Sequence, residues 1–215
     1  MDNDFIYVKP ADIERESFRI IGEELSGKGI VLKKKQEPYI KRCIHTSADF
    51  SYATTLAFSR NATSVLEGLL RDHASVICDT HMALSGINKT ALERAGCRAY
   101  CFMTDERVKE MAGKEGTTRA AAAVSAASHI EGRKIFCIGN APTALIELNK
   151  LYKEGRLTPD FVIGVPVGFV NVVYAKELII DSDIPYIVNR GRKGGSPIAA
   201  CLINAALYRI ENRQL

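Results

Sequence analysis

The sequence predicts an α/β fold: a single three-layer α/β/α, Rossmann-like domain with about five mostly parallel strands and helices ahead of the sheet. Three observations carry that prediction. First, short β-branched apolar runs recur, namely SVICDT (75–80), AYCFM (99–103), KIFCIGN (134–140), DFVIGVP (160–166) and IPYIVN (184–189). Each is continuously apolar rather than alternating and is bounded by turn residues, which is how a strand buried on both faces reads. Second, helical patterns lie between the runs, and strand–helix alternation implies parallel strands joined by right-handed crossovers. Third, no Gly/Ser/Pro-rich linker and no internal repeat divides the chain, so residues 1–215 read as one domain, long enough to bury a sizeable core.

In chain order, two or three helices are expected before the first strand. They are interrupted by the charged surface turn GKGIVLKKKQEP (27–38). Asn61 stands where it can cap the helix that leads into the first strand. TTRAAAAVSAASH (117–129) is alanine-rich, which favours a helix and lets its neighbours pack closely. Pro142 sits at the first turn of the next helix, where its missing N–H costs nothing, and Gly155 ends it. Leu145, Leu148 and Tyr152 share one face of that helix. The last helix, SPIAACLINAALYRI (196–210), is long, apolar and opens at a proline.

Composition excludes several functions. Hydrophobic residues make up 47% and charged residues 25%, and the net charge is +4 from 29 basic and 25 acidic residues. That balance is too mild for a nucleic-acid partner, yet it permits an anionic small molecule where charge is concentrated locally. No apolar run approaches the roughly 20 residues needed to span a bilayer. The beginning MDNDFIYVKP has neither a basic segment nor an apolar core, so it is not a signal peptide, and a cytoplasmic location is expected. The six cysteines form no disulfide framework. Cys78 and Cys137 lie inside strand runs as buried thiols, and no second pair follows Cys97 and Cys101 at zinc-ligand spacing, so no metal site is expected.

In an open parallel sheet, ligands bind beyond the carboxyl ends of the strands. Here those ends carry Asp79 and Thr80, Thr104 and Asp105, Gly139 to Thr143, Val165 to Gly168, and Asn189 to Ser196. The last loop, NRGRKGGSP, joins a strand to a helix. Its glycines allow close backbone approach, and Arg190, Arg192 and Lys193 together with a helix start favour an anion, although a solvated basic turn would read the same way. It lacks P-loop spacing, and no GxGxxG follows the first strand, so a nucleotide cofactor is not indicated. Asn140 and Thr143 either hold a ligand or cap a helix. Arg119, at the start of the alanine-rich helix, could clamp a carboxylate. His45 stands outside the strand pattern among basic residues, where a bound polyanion would favour its imidazolium form. Ser17 lies along the apolar side of the first helix, for packing or for a ligand.

Several segments together resemble the precorrin-8X (cobalt-precorrin-8) methylmutase family. They are ESFRII (16–21), RCIHTSADFSYA (42–53), CDTHMALSGI (78–87), GTTRAAAAV (116–124), GNAPTAL (139–145), GVPVGFVN (164–171) and NRGRKGGSPIAA (189–200). They occur in the family's order and span almost the whole chain. The resemblance implies a homodimeric Rossmann-like isomerase of cobalamin biosynthesis without a cofactor of its own. Its reaction is the suprafacial migration of a methyl group on ring C of a corrinoid, giving hydrogenobyrinate or, with cobalt in the substrate, cobyrinate. The family's catalytic histidine matches His45, its substrate-contacting serine and arginine match Ser17 and Arg42, and a further arginine matches Arg119. HTSADFSYA looks more like the oxygen-independent branch, whose substrate already holds cobalt. A sigmatropic shift asks little of the protein: an apolar slot, anchors for peripheral carboxylates (Arg42, Arg119, Arg190, Arg192, Lys193), and one proton donor. Two competing readings are a non-catalytic corrinoid carrier and a methyltransferase using S-adenosylmethionine; the missing glycine fingerprint argues against the second.

Overall fold

A computed structural model describes Lys9 and residues 12–212. Apart from Lys9, the segment MDNDFIYVKP lies outside the described residues. Three helices come first, α1 (Ile13–Gly27), α2 (Glu37–Ser47) and α3 (Tyr52–Thr55), followed by strand β1 (Leu56–Phe58) and helix α4 (Ala62–Arg71). The alternating part then runs β2 (Ser75–Cys78), α5 (His81–Gly86), α6 (Lys89–Arg94), β3 (Arg98–Tyr100), α7 (Glu106–Glu115), α8 (Arg119–Ala127), β4 (Lys134–Ile138), α9 (Pro142–Lys153), β5 (Phe161–Gly164), α10 (Val172–Ile180), β6 (Tyr186–Asn189) and α11 (Ser196–Ile210).

All five expected strands are present, and their sheet has a sixth member, in the order β1-β6-β5-β4-β2-β3. β2 to β6 pair in parallel, whereas β1 lies antiparallel on β6 with Leu56 opposite Asn189. At three residues, Leu-Ala-Phe is too short to show any period, and only its pairing with β6 makes it a strand.

Alternation along each strand divides the core in two. Val76, Cys78, Ile135, Cys137, Phe161, Ile163 and Ile187 face one layer, with α2, α4 and α11. Ile77, Phe136, Ile138, Val162 and Val188 face the other, with α8, α9 and α10. Both faces are covered, which is why the strands read as unbroken apolar runs. α11 explains its own lack of a polar face: α2, α4, α5, α6 and the sheet surround it, and Ile198 to Ile203 are buried without a break.

Capping departs from expectation at one point. Asn61 does occupy the N-cap of α4, but in the left-handed region (φ 56°) and without a side-chain bond to the helix. Asparagine tolerates that conformation better than most residues, so its role there is in the turn rather than as a cap. Thr80, Asn88, Asp105 and Thr118 do cap α5, α6, α7 and α8 through their side chains.

The strand order places the functional edge. From β2 the chain steps outward to β3, then crosses back to β4 and proceeds through β5 to β6 on the other side. The reversal lies between β2 and β4. A crevice opens beyond the carboxyl ends of such a pair, because the two following connections leave in opposite directions.

Candidate functional site

The switch crevice is built around Asp79, at the end of β2. Its buried carboxylate accepts backbone N–H bonds from Gly139 (2.9 Å), Asn140 (2.7 Å) and Ala141 (2.7 Å). Burial raises its pKa above the ordinary carboxylate value, and the three N–H donors oppose that rise. Asp79 therefore shapes the Gly139–Thr143 turn and turns the Asn140 side chain into solvent. Gly139 has to be glycine, since a Cβ there would stand 2.8 Å from the Ser196 Cα at the start of α11. Thr80 reaches the same helix start through Ser196 Oγ (2.7 Å). Thr143 meets the cap of α8, Thr118, hydroxyl to hydroxyl at 2.8 Å, which brings exposed Arg119 beside the GNAPT turn.

The β6–α11 loop folds tightly over the end of β5. Gly194 (φ 156°) passes so close to Val165 that a Cβ would lie 2.0 Å from its carbonyl oxygen, and the Gly195 N–H bonds to that oxygen at 2.9 Å. Asn189 ties the loop on both sides: its amide donates to the Lys193 carbonyl (2.9 Å), and its oxygen accepts from Thr55 (2.7 Å). The three cations expected to act as anchors are in different situations. Arg190 is paired with Glu177 (2.6 Å), and Lys193 with Asp49 (2.6 Å) and Ser51 (3.1 Å). The Lys193 ammonium holds the Asp49 carboxyl down to about 2. Arg192 has no carboxylate partner among the described residues and lies over the Phe169 ring at 5.4 Å.

The Lys193–Asp49 pair joins this loop to the segment just past α2, and α2 carries the other expected residues. Arg42 and His45 are one turn apart on it. His45 is exposed, and its ring stacks on Phe18 of α1 (5.3 Å between centroids, 26° between planes). Among the described residues its ring nitrogens accept or donate no hydrogen bond. Arg42 is only 7% exposed. Its guanidinium lies over Phe18 (5.2 Å) and Tyr208 (4.8 Å), with one Glu14 oxygen at 2.9 Å. That contact has ion-pair distance but not hydrogen-bond geometry, so among the described residues the buried Nε and Nη2 have no hydrogen-bond acceptor. An unspent buried donor is costly and calls for an acceptor. Ser17 precedes Phe18 on α1 and donates its proton to the Ile13 carbonyl (2.9 Å), leaving its oxygen able to accept.

The expected residues thus fall into two groups, joined by the Lys193–Asp49 pair. His45, Arg42 and Ser17 lie on the α1–α2 pair; Asn140, Thr143, Arg119, Arg190, Arg192 and Lys193 lie along the strand ends. A concavity of about 890 Å³ between α7, α8 and α9 contains none of them. Sequence reasoning missed Phe18, which carries both His45 and Arg42, and Lys176. A signal for Lys176 existed: with Val172, Ala175 and Ile179 it lies on the buried stripe of α10, where a lysine is out of place. No group of His, Cys, Asp or Glu side chains among the described residues is arranged to hold a metal.

Comparison with known proteins identifies the family. Residues 12–209 match the family described as precorrin-8X methylmutase (CbiC). The cobalt-precorrin-8 methylmutase of Salmonella typhimurium is 42% identical over 206 residues, covering 94% of this chain and 96% of that one. The precorrin-8X methylmutase of Pseudomonas aeruginosa is 34% identical over 90% of this chain and 92% of its own length. The crystal structure of a Thermus thermophilus precorrin-8X methyl mutase superposes with a TM-score of 0.83 at 32% identity, covering 95% of this chain and all of the other. With its fold, its motifs and nearly its whole described length accounted for in this way, the chain belongs to the precorrin-8X methylmutase family.

Proposed function

We propose that this protein is an isomerase of cobalamin biosynthesis that moves a methyl group on ring C of a corrinoid, converting precorrin-8X or cobalt-precorrin-8 to hydrogenobyrinate or cobyrinate. The observation that carries the site is the pairing of an exposed imidazole with a buried arginine that has unspent donors, both mounted on Phe18. Arg42 anchors a peripheral carboxylate through those donors, and His45 protonates the conjugated ring system as the methyl group migrates. Positive charge spread over the macrocycle lowers the barrier, and general-acid help of this kind is worth about 10²–10⁴-fold. Ser17, Asn140, Thr143, Arg119, Arg190, Arg192 and Lys193 supply the remaining contacts, and their number fixes orientation. No cofactor of the protein's own takes part, since the rearrangement is intramolecular. Cobalt, where present, belongs to the substrate, and the name borne by the Salmonella relative favours the cobalt-bearing form here. The test is incubation with corrinoid and no methyl donor. A product of unchanged mass and altered absorbance is expected, and pigment recovered unchanged would leave only a carrier.

The basic loop gives a second expectation. Arg192 is free to take a carboxylate, whereas Arg190 and Lys193 must first give up Glu177 and Asp49. Replacing all three by glutamine should weaken corrinoid binding, with Arg192→Gln alone accounting for most of the loss. Thermal stability should change little, because exposed ion pairs contribute about 0–1 kcal/mol each. Pigment titration beside thermal unfolding checks both parts.

The working unit is a homodimer whose interface borders the substrate slot. A conspicuously apolar rim follows β5 on the same edge, with Phe169 81%, Val170 79% and Tyr174 60% exposed. Contiguous apolar surface of this kind marks a surface that something else covers. An open edge also leaves one face of a large macrocycle in water, and a second copy related by a two-fold axis closes it. Light scattering at micromolar concentration should give twice the monomer mass; a monomer that persists with corrinoid bound would mean one chain builds the whole site. Among the described residues no helix is long and apolar enough to cross a membrane, and all six cysteines are free, which fits a cytoplasmic setting for the single domain.

A further inference from the structure

Lys176 is the one lysine buried completely among the described residues, and it lies beneath the loop that carries Arg190, Arg192 and Lys193. Its ammonium donates to the Gly191 carbonyl (2.8 Å) and to the Lys193 carbonyl (2.8 Å). These two acceptors flank Arg192. The next residue of α10, Glu177, grips the same loop from outside through Arg190 (2.6 Å). An unbranched apolar side chain would fill the same space without desolvating a charge. Burial indeed pushes the Lys176 ammonium down to about 8, against the opposing pull of Glu177. Retaining a charge at that cost makes sense where it supplies the donor to the Gly191 carbonyl and joins the Asn189 amide at the Lys193 carbonyl, so that one buried group ties both sides of Arg192. Around Gly191 and Gly194 the backbone runs at φ 75° and φ 156°, conformations that do not hold themselves.

We propose that Lys176 is a positioning residue for corrinoid binding: from below, it holds the carbonyls on either side of Arg192 and so sets the direction in which that guanidinium leaves the loop. The inference rests on the reading that this edge binds the carboxylates of a corrinoid. Lys176 itself touches no substrate. It acts through Gly191 and Lys193, and its influence should fall on binding rather than on the chemical step, because His45 stands on a different helix.

The variant Lys176→Met keeps the volume and removes the donors. Without ligand, hydrogen exchange should show lost protection at the amides of Gly168 and Gly195, which bond to the Arg192 and Val165 carbonyls. With corrinoid, KM and the dissociation constant should rise roughly tenfold, the scale of one lost charge-assisted hydrogen bond, while kcat stays near the parent value. Equal loss in kcat and kcat/KM, or unchanged affinity despite lost amide protection, overturns the positioning role. If Lys176→Met does not fold, Lys176→Ala leaves room for propylammonium. Recovery of affinity with propylammonium but not with propanol supports the proposal, and no recovery with either refutes it. The functional reading fails separately, in the parent protein: if that neither binds nor rearranges corrinoid, the site assignment falls and this inference with it, whereas a corrinoid-binding parent matched by an equally tight Lys176→Met sinks the inference alone.

Discussion

His45→Ala should lower turnover by about 10²–10⁴-fold, the range that a positioned general acid contributes. Pigment binding should survive, since the anchors lie on other side chains. The fold should survive as well. His45 is exposed, and its ring stacks on Phe18, a contact worth at most about 1.5 kcal/mol. For a chain of this length that is a fall of only a few degrees in Tm, at about 2–4 °C per kcal/mol. His45→Phe separates the two contributions: it restores the stack and with it the Tm, but supplies no proton, so turnover should stay as low as in the alanine variant. Single-turnover rates followed by absorbance, with melting curves of both variants, give the comparison. Parent-like turnover in either variant would remove His45 from the chemistry and leave Arg42 as the most distinctive group of the cluster.

Gly194→Ala should be the most damaging single-methyl change in the molecule. The added Cβ would lie 2.0 Å from the Val165 carbonyl oxygen, 2.8 Å from its carbon and 3.1 Å from the Pro166 oxygen. All three are backbone atoms at the end of β5, so no side chain can swing away. The loop has to lift, breaking the Gly195–Val165 bond and displacing the carbonyls that Lys176 holds. Overpacking costs about 1–3 kcal/mol, and the lost hydrogen bond adds about 1 kcal/mol. A loss near 3 kcal/mol corresponds to about 6–12 °C in Tm. Corrinoid affinity should fall further than in the Arg192→Gln variant, because every group on the loop moves with it. Gly191→Ala is the control. It too has a positive φ, but beyond its own chain neighbours no atom of the described residues lies within 4 Å of its Cβ position, so its cost is conformational strain alone and should be clearly smaller. Equal melting points for the two variants would refute the steric account.

Much of this was legible in the chain. Buried strands announce themselves because both faces must be apolar, and each of the five runs became a strand in the expected place. The carboxyl-edge loops followed from the strands, and Pro142, Gly155 and the alanine-rich helix from local conformational preference. What stayed hidden has a common cause. β1 is a strand only because β6 pairs with it. Asn61 is a turn residue only because the backbone there is left-handed. Lys193 and Arg190 read as free cations until Asp49, 144 positions away in sequence, and Glu177 came to meet them.

The fold class, the position of the polar and glycine-rich loops at the carboxyl ends of the strands and the residue types in them were readable from the chain alone, because periodicity, turn chemistry and the family's motifs are properties of short segments. Only the tertiary structure decided which of those residues are already spoken for. It paired two of the three loop cations, set both Arg42 and His45 against one phenylalanine, and put Lys176 under the glycine loop. The physical reason is that a charge or a hydrogen-bond donor acquires its role from the partner it meets and the water it loses, and both depend on contacts between segments distant in the chain.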